Sequence, residues 1–521
     1  MDGLFEPLAS TLGASVDQIK LIFCLLVAYP LGSLFVRVPS SKPALRHLFS
    51  ISVAVLFFFP VLKIYSAFFQ LLASILATYY IAKYDTSKKM PWRVFFIVMG
   101  HLTVNHIIRA LNNQSYETVE VTGPQMVLTM KLTTFAWNVY DGRRPTEDLD
   151  KWQLQKRITS YPSLLSLLGY SFYFPGILVG PYLDFAEYTD LVNETVFKQP
   201  SIKSQHNSGR MLPPGRKRAA YTRMIMGLAY LGAFVFLGGT YNFSAALKPE
   251  FAEMSFVKRF LLFQIYGPFE RSKYYAIWTL TEGASILTGL GFTGFSSTTS
   301  KPQWNGAANV IVSQIEFPSN FKVLLDSWNM KTNVWLRECV YKRVAPKGKK
   351  PGNSVTAITF FTSALWHGIA SGYYLTFFMG ALITTSARLA RQSLRPLFLP
   401  PSPYSTTLNK TIYDIVGTIT SLTILNYAAS PFILSTWKDS IKVLSVLGWY
   451  GHVVVVGGLG WFYVGGGVKM CRSLQKRCGV LPNAAGKENG KVNGASGVAT
   501  PVAEKNFTVP PTLDKFVPPP Q

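Results

Sequence analysis

The chain has 521 residues, 49% of them hydrophobic and only 15% charged, against about a quarter charged in an ordinary soluble domain. Runs of roughly 18 or more residues with few charges recur along it, which excludes a soluble globular fold; strict apolar–polar alternation is lacking, which excludes a β-barrel. The net charge of +25 is spread between apolar runs, which points to anionic headgroups or an anionic substrate and away from nucleic acid.

In chain order, the first ten residues carry Asp2 and Glu6 and no basic cluster, so no secretory signal is expected. Candidate spans follow at 21–36 (with a kink expected at Pro30), 48–62, 64–82, 94–108, 121–140, 162–180, 223–240, 259–267, 274–295, 357–385, 413–433 and 443–468. They predict an all-α polytopic membrane protein with about eleven membrane helices. Two connecting segments are basic and free of acids: 203–218, with Lys203, Arg210, Arg216, Lys217 and Arg218, and 342–350, with Lys342, Arg343, Lys347, Lys349 and Lys350. The positive-inside rule places both on the cytosolic face. Residues 1–480 are read as one membrane domain. From 481 the chain is rich in Gly, Ala, Asn and Pro and cannot bury enough apolar surface to offset its ordering entropy, so a disordered tail is expected over 481–521. Cys24, Cys339, Cys471 and Cys478 show no metal-binding spacing, and no metal site is expected. Cys24 reads as a small buried hydrophobe. No internal repeat and no matching pair of broken helices is visible.

Two stretches stand out chemically. The run from Ala357 to Thr385 contains no Lys, Arg, Asp or Glu, yet holds His367 near its middle in "TSALWHGIASGYYLTF". An ionisable group at membrane depth is costly and marks either function or a hydrogen bond to a neighbouring helix. Gly368 and Gly372, with Ser371 between them, are expected to open one helix face to a backbone or a slim ligand, with Trp366, Tyr373 and Tyr374 supplying bulk around it. The second stretch is 326–344, "DSWNMKTNVWLRECVYKRV". It reads as an amphipathic helix in the headgroup zone, with Trp328 and Trp335 on one face and Asn329 and Asn333 one turn apart. Glu282 and Lys131, both in apolar segments, are expected to be structural ion pairs.

These stretches carry a resemblance. "SWNMKTNVWLRECVYKR" (327–343) and "ALWHG" (364–368) look like the membrane-bound O-acyltransferase family, and most of all its lysophospholipid acyltransferase branch. "MVLTMKLTTFAWNVYDG" (126–142), "GYSFYFPGILVGPYLDFAEY" (169–188) and "WTLTEGASILTGLGFTG" (278–294) extend the resemblance in the family's order. It implies a bundle of membrane helices around a central tunnel, open to the cytosol for acyl-CoA and sideways for the lipid acceptor. The family's histidine and asparagine fall on His367 and Asn329, with Asn333 the fallback. Trp328, Asn333, Trp335, Tyr341, Lys342, Arg343, Ser363, Trp366, Gly368 and Tyr373 are the expected substrate contacts.

The implied reaction moves an acyl chain from the CoA thioester to the free hydroxyl, expected at sn-2, of a lysophospholipid. An alcohol is a weak nucleophile and needs a base at the moment of attack. Neutral imidazole is suited to this, and an apolar tunnel disfavours the imidazolium. Asn329 would donate to the thioester oxygen or orient the histidine. No cofactor is implied beyond acyl-CoA as a substrate. Ser363, one turn before His367, makes a Ser–His nucleophile conceivable, but the resemblance implies direct transfer. Lys342, Arg343, Lys347, Lys349 and Lys350 are candidates for the CoA phosphates. The expected partners are acyl-CoA and a bilayer lysophospholipid, in the endoplasmic reticulum membrane; the oligomeric state is left open. Two alternatives stand beside this reading: a family member with a sterol, diacylglycerol or protein acceptor, and a transporter with His367 in its path.

Overall fold

The computed structural model describes residues 2–115, 118–197, 212–296, 298–345, 352–399 and 407–479. The tail expected from 481, and Lys203, Arg210, Lys347, Lys349 and Lys350, lie outside the described residues. The described chain is almost wholly helical. Its strands are one short antiparallel pair, Gly294–Phe295 with Pro302–Gln303.

Among the described residues, five helices are long and apolar enough to cross a membrane: Val16–Phe35, Pro43–Val61, Tyr65–Tyr84, Met90–Leu111 and Arg216–Leu237. A sixth is gained if Trp437–Val446 and Tyr450–Tyr463, bent by 81°, form one broken span. Local chemistry sets the starts. Ser15 and Gln18 form a reciprocal capping box for the first of these helices, and Pro43 and Pro91 sit in the first turns of the second and fourth, where a missing N–H costs nothing. Pro60 lies within a π-helical turn, Phe57–Val61, that ends the second.

Two other long helices face inward and carry polar groups. Thr122–Gly142 is buried on nearly every side, including Lys131, Asn138 and Asp141. Phe256–Leu287 is one continuous helix of 32 residues through Pro268, where two spans, 259–267 and 274–295, were expected; the charged Glu270, Arg271 and Lys273 of the gap between those spans sit inside it. Glu270 and Lys273 pair with each other at 3.1 Å, and Arg271 pairs with Glu316 at 2.6 Å. Of the expected span 162–180, only Leu164–Ser171 is helical; Pro175 and Pro181 follow, and the irregular chain runs buried to Asp184. Non-helical backbone is tolerated at depth only where protein satisfies its polar groups. Lys131 does this. Its ammonium donates to the Tyr170 and Ser171 carbonyls at 2.8 and 3.2 Å and sits over the Tyr170 ring. The ion pair expected of Lys131 is thus a clamp on carbonyls freed by a broken helix. Glu282 does pair, with Arg223 at 2.9 Å. Cys24 is fully buried in the core.

Side-chain ties gather several helix ends on one face. Arg343 pairs with Asp141 at 2.5 Å, Lys342 with Asp150 at 2.7 Å, and Lys156 with Glu187 at 3.1 Å. Arg46 donates to the Val192 carbonyl at 3.0 Å, and Arg216 to the Leu287 carbonyl. At the opposite face the Val119 amide donates to Asp17 at 3.2 Å, and Arg109 pairs with Glu120 at 2.6 Å. The helices Met90–Leu111 and Thr122–Gly142 therefore run between the two faces in opposite directions.

Candidate active site

His367 is the last residue of the helix Asn353–His367. The chain turns at Gly368, whose φ of +131° suits glycine, and Ser371–Leu394 begins as a separate helix. Gly368 and Gly372 thus belong to two elements rather than to one open helix face. The Gly368 amide closes the first helix onto the Ala364 carbonyl at 3.1 Å, and the Gly372 amide ties the second to the Ser435 carbonyl at 2.8 Å. A β-carbon at Gly372 would overlap the Pro431 carbonyl, and one at Gly368 would press on the His106 ring. The imidazole lies among aromatic rings. Phe377 stacks on it at 5.3 Å, and Phe432 and Trp366 meet it edge-on at 4.9 and 4.6 Å. Among the described residues, none hydrogen-bonds the His367 ring.

Asn329 also sits at an interruption. Phe321–Ser327 ends before it and Met330–Trp335 starts after it. Its backbone is left-handed (φ 44°, ψ 53°), a conformation that Asn tolerates better than most residues. Asn309 holds the turn. Its carbonyl accepts from the Met330 amide at 2.9 Å, its side-chain oxygen from the Lys331 amide at 2.9 Å, and its Nδ2 donates to Asn329 Oδ1 at 3.1 Å. Thr332 Oγ1 donates to the same oxygen at 2.8 Å. With Oδ1 engaged twice, the Asn329 NH₂ is the donor left for a ligand.

Asn329 and His367 line one cavity of about 380 Å³, together with Trp366, Tyr373, His106, Asn309 and Phe432. A smaller cavity of about 130 Å³ shares Pro181, Tyr182 and Lys331 with it and reaches toward Glu187 and the Gly289–Gly291 turn, at the face that Lys156 and Arg216 mark.

The structure thus brings the expected catalytic pair, His367 and Asn329, to the cavity with Trp366 and Tyr373 of the expected substrate contacts. The others point elsewhere. Asn333 donates to the Leu325 and Trp328 carbonyls at 2.6 and 2.8 Å, which caps the preceding helix. Trp328 packs edge-on against Trp278 at 5.1 Å. Trp335 is fully buried and donates to Thr133 Oγ1 at 2.8 Å. The two tryptophans do not share a face, because 326–344 is broken at Asn329 and continues as a buried π-helical turn, Leu336–Tyr341. The segment is not one helix in the headgroup zone. Arg343 bonds both Asp141 oxygens, at 2.9 and 2.5 Å, and stacks on Trp137; Lys342 bridges Asp150 and Glu338. Tyr341 closes the π-helical turn. Ser363 is buried one turn back in the His367 helix, and Gly368 serves the turn.

Sequence reasoning missed His106, Arg109, Glu120, Asn309 and Lys331, all of which line the cavity. His106 carried the same signal as His367, an ionisable ring inside an apolar run. Its Nε2 lies 3.3 Å from the Trp366 carbonyl. Asn309 gave none, since its role depends on a turn that only the fold creates.

A mostly helical bundle with apolar outer helices, enclosing a cavity lined by a histidine and an anchored asparagine, defines a membrane-embedded enzyme. The model of the MBOAT, membrane-bound O-acyltransferase family matches residues 108–429, and the chain belongs to that family. It is 38% identical to a lysophospholipid acyltransferase of Schizosaccharomyces pombe over 452 residues, 87% of each chain. It is 36% identical to a lysophospholipid acyltransferase of Saccharomyces cerevisiae, over 87% of this chain and 75% of that one. A mouse membrane-bound glycerophospholipid O-acyltransferase 1 is 28% identical over 86% of this chain and 90% of its own length.

Proposed function

We propose that the chain is an acyl-CoA:lysophospholipid O-acyltransferase with His367 as general base and Asn329 as oxyanion donor. The names of the two yeast relatives support the acceptor class. The observation that carries the chemistry is that His367 and Asn329 face one cavity, each at the end of a helix.

The imidazole takes the proton of the lipid hydroxyl as its oxygen attacks the thioester carbonyl. The Asn329 NH₂ donates to the oxygen that becomes negative. On collapse the C–S bond breaks, the C–O bond is complete, and the imidazolium returns its proton to the CoA thiolate. No acyl-enzyme and no resident cofactor takes part. The smaller cavity beside Lys331 gives the donor its approach from the basic, cytosolic face. The acceptor hydroxyl is the free one, at sn-2, and enters from the bilayer.

The reading includes about eleven membrane crossings. The helices Thr122–Gly142, Phe256–Leu287, Ser371–Leu394 and Leu408–Leu434 cross as well. Apolarity hides the first two because polar side chains such as Lys131, Asn138, Asp141, Glu270 and Arg271 are buried inside the protein rather than turned to lipid. The residence is the endoplasmic reticulum membrane. The test is acyl transfer from one radiolabelled acyl-CoA to a panel of lysophospholipid, sterol, diacylglycerol and peptide acceptors, using membranes that carry the protein. Labelled phospholipid alone is expected; a labelled sterol, triglyceride or peptide in its place overturns the acceptor class.

A further inference from the structure

We propose that Arg109 and Glu120 form the headgroup-recognition end of the cavity and select lysophospholipids whose phosphate is followed by an ammonium group; this rests on the lysophospholipid reading above. Both residues line the same cavity as His367 and Asn329. Their side chains are 15% and 17% exposed and are joined by a 2.6 Å ion pair. Arg109 also donates to Thr122 Oγ1 at 3.0 Å and to the Ser115 carbonyl at 2.7 Å, so the guanidinium is held in place by more than its partner acid. Glu120 accepts in turn from the Thr122 amide at 3.3 Å and from its hydroxyl.

Position makes the pair a ligand feature. Arg109 follows His106 by one turn of the helix Met90–Leu111, a rise of ~4.5 Å on the same face. The His106 ring reaches the Trp366 carbonyl and lies against Gly368, the two neighbours of His367. The guanidinium therefore stands about one helical turn beyond the base, toward the face where Val119 meets Asp17. In a lysophospholipid with a free sn-2 hydroxyl, only the sn-3 carbon and one ester oxygen separate the hydroxyl-bearing carbon from phosphorus. A hydroxyl at His367 thus brings the phosphate to the guanidinium, which binds it through paired N–H donors. Glu120, bonded to that guanidinium, is then the group an ethanolamine or choline nitrogen meets. A zwitterion replaces the ion pair charge for charge. A headgroup with no ammonium leaves its phosphate facing Glu120 uncompensated, and like charges brought together are costly. A clamp on the loop between the two helices would explain the pairing, but not why both charges face the reaction cavity.

The test compares kcat/KM for lysophosphatidylethanolamine and lysophosphatidylglycerol of the same acyl chain, with one acyl-CoA, on the purified full chain in detergent–lipid micelles. The wild type is expected to favour the ammonium-bearing acceptor by about tenfold, the size of one charge-assisted contact. Glu120→Gln keeps the hydrogen bonds to Arg109 and Thr122 but removes the charge. It is expected to bring the ratio to near unity and leave KM for acyl-CoA unchanged. Arg109→Lys, which loses the paired donors, is expected to raise KM for both acceptors and spare the ratio. Each ratio is taken within one preparation, so loss of folded protein cancels. A wild type without preference, or a Glu120→Gln ratio that does not move, overturns the proposal while acyl transfer itself persists. Absence of transfer to every lysophospholipid overturns the acyltransferase reading and this assignment with it.

Discussion

Asn329 and Arg343 lie on one stretch of chain and are held in opposite ways. Asn329 occupies a left-handed turn between two helices, has its oxygen anchored by Asn309 and Thr332, and lines a cavity. Arg343 follows a continuous π-helical turn and spends its guanidinium on both oxygens of Asp141 and on the face of Trp137. His367 sides with Asn329: it ends its helix, a glycine turns the chain after it, and its ring has aromatic neighbours but no hydrogen-bond partner among the described residues. Lys342 sides with Arg343, bridging Asp150 and Glu338. Of these four groups, His367 and Asn329 sit at breaks in helices and line the cavity, whereas Lys342 and Arg343 sit within a helical turn and face opposite charges.

Substitution at His367 has the largest expected effect. His367→Ala is expected to lower kcat by ~10²–10⁴-fold and leave the thermal midpoint in detergent near the wild-type value, since the ring lines a cavity and makes no hydrogen bond among the described residues. An active His367→Ala protein ends the assignment of the base. Asn329→Ala is expected to cost ~10²–10³-fold in kcat, the loss of one oxyanion donor. Asn329→Gly separates the amide from its backbone, because glycine accepts the left-handed turn without strain. Equal losses in the two variants assign the effect to the amide. Recovery of rate in the glycine variant assigns it to the turn.

Arg343→Met probes the other region. Removing one partner of a buried ion pair leaves an uncompensated charge. Asp141 is fully buried, with Arg144 at 3.2 Å as its remaining cation. The expected outcome is a loss of ~3 kcal/mol in unfolding stability, read by denaturant titration, with kcat of the folded fraction within about twofold of wild type, since Arg343 lies off the cavity.

The outer helices were legible in the sequence because lipid demands apolar side chains all round, and Tyr65–Tyr84 and Met90–Leu111 match the expected runs to within a few residues at each end. The inner helices were harder. Glu270, Arg271 and Lys273 fall in the gap between the expected spans 259–267 and 274–295, and they sit inside one helix because Glu316 and the interior of the bundle pair or enclose them. His367 is legible as an ionisable ring out of keeping with its apolar run, and Asn329 only through the resemblance of the motif around it. Their geometry was not. A helical period drawn through 326–344 or 357–385 hides the breaks at Asn329 and Gly368, and those breaks aim the side chains. The Arg109–Glu120 end of the cavity carried no local signal, since its meaning depends on His106 touching Trp366, a residue far along the chain.

The smallest expected effect, at Lys342, sharpens the comparison furthest. Lys342 heads the basic segment that the sequence offers for CoA phosphates, and its side chain is 35% exposed. It meets Asp150 at 2.7 Å and Glu338 at 2.8 Å, and Arg337 already covers Glu338 from the other side at 2.8 Å. A half-exposed ammonium sharing two carboxylates is worth ~0–1 kcal/mol, because water screens it and one acid keeps another cation. Lys342→Gln is therefore expected to lower stability by no more than ~1 kcal/mol and to leave KM for acyl-CoA within about twofold. If KM for acyl-CoA rises about tenfold, worth ~1.4 kcal/mol of binding, while KM for the lysolipid stays put, the ammonium leaves its acids for a phosphate when the donor arrives. The division between groups that act and groups that hold would then fall inside the 337–343 segment, between Lys342 and Arg343, rather than between that segment and the cavity.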